Sequence, residues 1–226
     1  MFLTDRLHLV TDTRDGRDPL PVVEAALRAG VGCVQVRAKR HTDRELAALT
    51  GQVLMLASMY ASHDGARQRR ATVIVDDRAD VAVATGADGV HVGADDLTVE
   101  EVRRVLGPTA VVGVTARDPQ TARTAAKSGA SYLGVGPAFT TETKTGLPDP
   151  LGVAGVGAVA DSVQVPVIAI GGVGAGHIPD LLSAGVHGVA VVSAVSDAAD
   201  PEAAAAELVR LTGCCETAQT HGSRAF

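Results

Sequence analysis

Cysteine is nearly absent from this chain of 226 residues: Cys33, Cys214 and Cys215 make an odd count with no metal-ligand spacing. The pattern speaks for free thiols rather than a disulfide framework or a cysteine-bound metal. Also missing is the basic segment followed by an apolar run that marks a secretory signal. No apolar stretch approaches the ~18 residues that a bilayer crossing needs. The run from Val165 to Gly176 is shorter and rich in glycine. A cytoplasmic protein with no membrane role is therefore expected. A basic surface is lacking too, since the net charge is -6 and the isoelectric point about 5.6. Duplex binding needs an extended basic face, so nucleic acid is excluded as a partner while small anions are not.

Lysine is the other scarcity, with three against seventeen arginines. Where arginine serves as the default cation, a retained lysine is informative, because a compact ammonium differs from a planar guanidinium. Lys127 lies on an amphipathic helical pattern and reads as a surface charge. Lys39 and Lys144 fall within candidate motifs.

What the chain does have is apolar content, at 46%, without any low-complexity block. That suits one large core, and residues 1–212 read as a single domain followed by a flexible C-terminal tail, 213–226. Eight short β-branched runs can be marked: His8–Thr11, Val34–Arg37, Val73–Asp76, Gly89–Val92, Val111–Thr115, Tyr132–Gly136, Val165–Ile170 and Gly188–Val192. Helical patterns separate them. Four are entered through one phrase, Ala29-Gly30-Val31, Thr85-Gly86-Ala87, Ser128-Gly129-Ala130 and Ala184-Gly185-Val186, in which glycine ends a helix just before the strand. Strands apolar on both faces and alternating with helices indicate a (β/α)8 TIM barrel. The rival, a doubly wound open sheet, would carry a glycine-rich first turn, which Thr11-Asp12-Thr13-Arg14-Asp15-Gly16 lacks. The longest interval holds a helix from about Thr42 to Tyr60 and then His63–Arg70, which reads as a solvated polar loop.

Active sites of such barrels lie at the carboxyl ends of the strands, so polar residues are sorted by strand end. The second run carries Gln35, Arg37 and Lys39 at alternate positions, hence on one face, and two cations there call for a strongly anionic partner. Asp76-Asp77 ends the third run and Asp95-Asp96 follows the fourth. One Asp-Asp pair is an ordinary cap or turn. Two such pairs on adjacent strands beside cations suit Mg²⁺ bound to a diphosphate, a hard ion that takes a few carboxylates, waters and phosphate oxygens. Thr115 ends the fifth run and Arg117 follows it. The stretch from Gly136 to Gly146, with Thr141, Thr143 and Lys144, reads as a mobile lid over phosphate. Gly171-Gly172 alone could be the tight exit of a strand, but paired with Val192-Ser193 it reads as the phosphate cup common to the last two loops of such barrels. His8 and His91 lie inside predicted strands and read as structural; none of the other histidines has metal spacing.

Taken in order, Gln35-Val36-Arg37-Ala38-Lys39, Val75-Asp76-Asp77-Arg78, Gly89-Val90-His91-Val92-Gly93 with Asp96, Gly113-Val114-Thr115, Gly134-Val135-Gly136-Pro137 with Thr141-Glu142-Thr143-Lys144, Gly171-Gly172 and Val192-Ser193 resemble the thiamine-phosphate synthase family. The likeness runs from Leu7 to about Val195. It implies a transferase joining an aminopyrimidine methyl diphosphate to a thiazole phosphate, or its carboxylated precursor, with release of diphosphate by a Mg²⁺-assisted dissociative mechanism. It also implies that Gln35, Arg37, Lys39, Asp76, Thr115 and Lys144 hold the pyrimidine diphosphate, with Arg37, Lys39 and Lys144 catalytic. Asp77 and Asp96 would hold the metal, and Thr141, Thr143, Gly172, Val192 and Ser193 the thiazole phosphate. Small-molecule substrates are then the expected partners, with a homo-oligomer one option for the assembly.

The sequence departs from the family pattern at Asp76, usually Asn, at Ala94, usually Gln, and at Thr115, usually Ser. An added carboxylate beside a diphosphate repels it unless it binds metal or is neutralised by Arg78. The related thiazole tautomerases, an isomerase alternative on the same fold, carry a histidine two residues beyond the fifth-strand hydroxyl. Here Arg117 stands there, and an arginine makes no useful general base. A non-catalytic phosphate-ligand-binding regulator is the third alternative.

Overall fold

Eight runs of small β-branched and apolar residues form the parallel strands β1 (Leu7–Val10), β2 (Cys33–Val36), β3 (Thr72–Asp76), β4 (Gly89–Val92), β5 (Val111–Ala116), β6 (Tyr132–Val135), β7 (Val167–Ile170) and β8 (Gly188–Val191). In this computed structural model, which describes residues 5–64, 67–144 and 146–213, each strand pairs with its sequence neighbour. β8 then returns to β1, with Leu7 opposite Val189, and closes the barrel. Around it run α1 (Leu20–Arg28), α2 (Asp43–Met59), α3 (Ala79–Thr85), α4 (Val99–Leu106), α5 (Pro119–Lys127), α6 (Gly152–Ala160), α7 (Ile178–Ser183), α8 (Ser193–Ser196) and α9 (Pro201–Leu211). The (β/α)8 expectation holds. Among the described residues no helix is long and apolar enough to cross a membrane.

The repeated helix-to-strand phrase works as read. Gly30, Gly86, Gly129 and Gly185 all take positive φ, between 72° and 93°, the left-handed turn that ends a helix and aims the chain back at the sheet. Helix starts are equally explicit. Thr42 and Thr98 each accept the N–H three residues on, from Glu45 and Glu101, whose carboxylates take the threonine N–H in return.

Outward strand residues and the helices form one large apolar layer and a smaller cluster of Val90, Val92, Val99, Val102 and Val112 at α4, while Val10, Cys33, Ile74, Val111, Tyr132, Ile168 and Ala190 fill the barrel's inside. Tyr132 is the one large ring there. Gly113 makes its room: a Cβ at that position would lie 2.2 Å from the ring carbon Cζ. Arg6 donates to the Thr212 carbonyl at 3.0 Å, so the described ends of the chain meet below β1.

Most strand ends shift by a residue or two from the sequence reading, and three differences matter most. β2 stops at Val36, so Arg37 to Lys39 leave the strand, and β7 begins only after Pro166. The third is His63–Arg70, read as a solvated loop. Ser62–Asp64 instead pairs antiparallel with Arg67–Arg69. Its base is tied down where Arg69 donates to Asp5 and Arg70 to Asp88, at 2.6 and 2.9 Å. So polar a hairpin carries no alternating apolar signal; ion pairs and backbone bonds hold it. Of the expected tail, residues 214–226, Cys214 and Cys215 among them, lie outside the described residues.

Candidate active site

At the carboxyl ends of the strands the barrel opens into a cavity of about 210 Å³. β2 brings Gln35 and Arg37 to its wall and β3 brings Asp76. Thr115 arrives on β5, Thr141, Thr143 and Lys144 on the segment after β6, Gly172 after β7, and Val192 and Ser193 after β8. Lys39, Asp77 and Asp96 do not line the cavity. They stand at its rim, because the chain has already left β2 at Lys39, and Asp77 and Asp96 sit beyond the ends of β3 and β4.

The central electrostatic feature is Asp76. Its Oδ2 lies 3.3 Å from Arg37 Nε and 3.2 Å from Lys39 Nζ, and Lys39 also contacts the Asp77 carboxylate. Although both cations are within ion-pair distance, that buried oxygen makes no bond of hydrogen-bonding geometry. The neutralising partners are thus Arg37 and Lys39, not Arg78. Arg78 is taken by Asp43 at 2.5 Å and by Asp80 at 2.6 and 2.9 Å. Its side chain turns back over α2 and α3, which a linear reading could not show.

Arg37 is also held through its backbone. Thr11 Oγ accepts the Arg37 N–H at 2.8 Å and donates to the Arg37 carbonyl at 2.9 Å. The sequence reading did not single out Thr11.

Asp77 takes a left-handed conformation, φ 61°, which aspartate tolerates better than most residues. Its N–H donates to the His91 carbonyl at 2.8 Å. Asp96 Oδ2 accepts the Gly93 N–H at 2.8 Å, folding the loop after β4. Both carboxylates therefore belong to neighbouring strand ends. No cluster of three or more Asp, Glu, His or Cys that could cage a metal occurs among the described residues. Two hard oxygen donors suit an ion that draws its other ligands from phosphate and water.

The expected lid leaves β6 through Gly136-Pro137, joined by a cis peptide bond. It is pinned to β7: Ala138 N–H donates to Ile170 O at 2.8 Å and Phe139 N–H to Gly171 O at 2.9 Å. The Phe139 ring stacks on His177 with centroids 3.9 Å apart. Thr145 lies outside the described residues. Arg117 does not line the cavity; it donates to the Asp149 carbonyl at 2.7 Å.

Two further groups stand at the cavity without a role assigned from the sequence, where His91 and His8 read as structural and Asp12 was not singled out. His91 lines the cavity and bridges two hydroxyls, with Nε2 3.0 Å from Thr115 Oγ and Nδ1 2.9 Å from Tyr132 Oη. Burial pushes its pKa down, outweighing the nearby Asp76 and Asp96, so the ring is neutral. His8, which also lines the cavity, is pushed down to about 3 by burial. Its ring meets the Tyr132 ring edge-on.

The second is the Asp12 cluster after β1. Asp12 accepts from Arg14 twice at 2.8 Å, from Arg17 at 3.0 Å and from Ser196 of α8 at 3.2 Å, while Arg17 also bonds Asp197. Hydrogen bonding by Arg14 lowers the Asp12 carboxyl to about 2. Its folded pKa lies below the unfolded value of roughly 3.9, so the stabilisation, about 2 kcal/mol, is complete above that value and fades as pH falls toward 2. Denaturant titrations of wild type and Asp12→Asn should show a stability gap at pH 5 that shrinks most of the way by about pH 2; a gap independent of pH would contradict the assignment.

Fold and site together define a (β/α)8-barrel enzyme whose mouth gathers Arg37, Asp76, Thr115 and Lys144. A family model described as thiamine monophosphate synthase matches residues 7–195. A thiamine-phosphate synthase of Salinispora arenicola is 52% identical over 212 residues, covering 92% of this chain and 98% of that one. One from Chloroflexus aurantiacus is 41% identical over 90% of both chains. The solved thiamine phosphate pyrophosphorylase of Pyrococcus furiosus superposes with a TM-score of 0.82 at 32% identity, covering 93% and 96% of the two chains. The chain belongs to the thiamine monophosphate synthase family and is a transferase of thiamine biosynthesis.

Proposed function

We propose that the enzyme joins an aminopyrimidine methyl diphosphate to a thiazole phosphate, giving thiamine phosphate and free diphosphate. The observation that supports this reading is one cavity lined by Arg37 and Lys144 and also by Gly171-Gly172 and Val192-Ser193, which we read as two anion sites. The first is formed by Arg37 with Lys39 behind it and Lys144 from the lid; the second is the cup of Gly171-Gly172 and Val192-Ser193. A substrate pair bearing a diphosphate and a monophosphate fills both.

The bond from the pyrimidine methylene to the diphosphate oxygen breaks first, and its electron pair leaves with the diphosphate. The electron-rich aminopyrimidine carries the resulting methylene cation. The thiazole nitrogen then donates its lone pair to form the new carbon–nitrogen bond. No proton changes hands, which suits a cavity where the histidines are held neutral and Arg117 is turned away. The chain's own work is positioning and charge stabilisation: Arg37, Lys39 and Lys144 meet the charge that builds on the departing group, and the lid hydroxyls help exclude water. Asp77 and Asp96 are the residues that would hold Mg²⁺, whose contribution is to neutralise the leaving diphosphate.

The test supplies the purified enzyme with both substrates and Mg²⁺ and follows diphosphate release and product. Saturating substrates without product would overturn the reading. Asp96→Asn should weaken Mg²⁺ binding, measured calorimetrically with inorganic diphosphate present, by roughly 10–100-fold. Unchanged Mg²⁺ affinity would remove Asp96 from the metal site.

A further inference from the structure

His91 stands between two hydroxyls from neighbouring strands, and the backbone has been cleared for that arrangement. In register, His91 of β4 faces Gly113 of β5, which faces Tyr132 of β6, while Thr115 faces Gly134. The Tyr132 hydroxyl reaches His91 across the gap at Gly113, where a Cβ would fall 2.3 Å from Oη. A Cβ at Gly134 would fall 2.8 Å from His91 Cε1. Any side chain at either glycine would close the path.

We propose that Tyr132 and His91 are positioning residues, a directed hydrogen-bond chain from the barrel floor that makes the Thr115 hydroxyl a fixed donor toward the diphosphate in the cavity. The identity of that anion rests on the transferase reading above.

Direction follows from counting hydrogens. A neutral ring and two hydroxyls hold one polar hydrogen each, three in all for two bonds. Tyr132 is 2% exposed, and among the described residues its hydroxyl meets no other hydrogen-bond partner. A buried phenolic hydrogen left without an acceptor is costly, so Tyr132 donates to Nδ1. The ring hydrogen is then on Nε2, donated to Thr115 Oγ. The remaining hydrogen, that of Thr115, has only the cavity to point into. The reverse order would strand the Tyr132 hydrogen and turn Thr115 inward. The chain needs no change of protonation; it fixes a tautomer.

Tyr132→Phe deletes the terminal donor and keeps the ring. In wild-type protein with ¹⁵N-labelled histidine, NMR should report the Nε2–H tautomer for His91, and the variant should lose that preference. Affinity for inorganic diphosphate with Mg²⁺ should fall about tenfold, the scale of one hydrogen bond to a charged group. Thr115→Val should weaken it at least as much, Thr115→Ser should restore it, and Tyr132→Phe with Thr115→Val should be no weaker than Thr115→Val alone. A wild-type tautomer and diphosphate affinity in Tyr132→Phe, or fully additive losses in the double variant, would overturn the proposal. A wild-type enzyme that forms no thiamine phosphate would instead remove the transferase reading, with tautomer and diphosphate affinity still judging the chain.

Discussion

Arg37→Ala is expected to lower kcat/KM for the pyrimidine diphosphate by roughly 10²–10³-fold, the scale of losing one preorganised donor from a charge-separating transition state. Two effects add in the same direction. The guanidinium no longer meets the charge growing on the departing diphosphate, and Asp76 loses one of its two cations. Lys39 alone then faces a buried carboxylate oxygen and the neighbouring Asp77, so negative charge increases at the proposed diphosphate site. Arg37→Lys should recover only part of the loss, since a point charge cannot reproduce the planar fork. Pairing Arg37→Ala with Asp76→Asn should regain some kcat/KM by deleting the exposed repulsion. Steady-state kinetics on the four enzymes decides it; a single variant within threefold of wild type would take Arg37 out of the mechanism.

Gly172→Ala is expected to damage stability and substrate binding together. The glycine has φ +66°, and a Cβ there would lie 2.3 Å from the Thr140 carbonyl oxygen and 2.9 Å from the Phe139 carbonyl carbon. Both obstacles are backbone, and the Phe139 strap is already held by its bond to Gly171 and its stack on His177. Left-handed strain and forced displacement together cost about 3 kcal/mol. For a chain of this size that lowers Tm by about 6–12 °C. Because the strap leads to Thr141, Thr143 and Lys144, KM for the thiazole phosphate should rise as well. Calorimetry and kinetics check the pair; a variant melting within 2 °C of wild type with unchanged KM would show that the segment yields freely.

Local chemistry was legible in the sequence and side-chain reach was not. The helix-ending glycines and the Thr42 and Thr98 capping boxes are short-range signals, and they fixed the alternation of strand and helix from which the barrel follows. Sorting polar residues by strand end brought Gln35, Arg37, Asp76, Thr115 and the lid residues to one cavity. Simple alternation failed at Lys39, because β2 ends three residues earlier. Arg78 was one candidate to neutralise Asp76, by proximity in sequence, yet a long side chain can turn either way, and two carboxylates lay on its other side. The link from His91 to Tyr132 spans 41 positions and depends on a missing side chain at Gly113, a space that no pattern of polar residues announces.

The bond from Arg6 to Thr212 and the pairing of Leu7 with Val189 have a consequence for how this molecule is to be mapped. Distance along the polypeptide is measured on a line, but the architecture is a circle, and residues at the far ends of the line are neighbours on the circle. The salt link from Arg17 to Asp197 crosses 180 positions of sequence and only one step of the ring. It is a rivet through the overlap of a hoop, at the joint where the first and last units share the load.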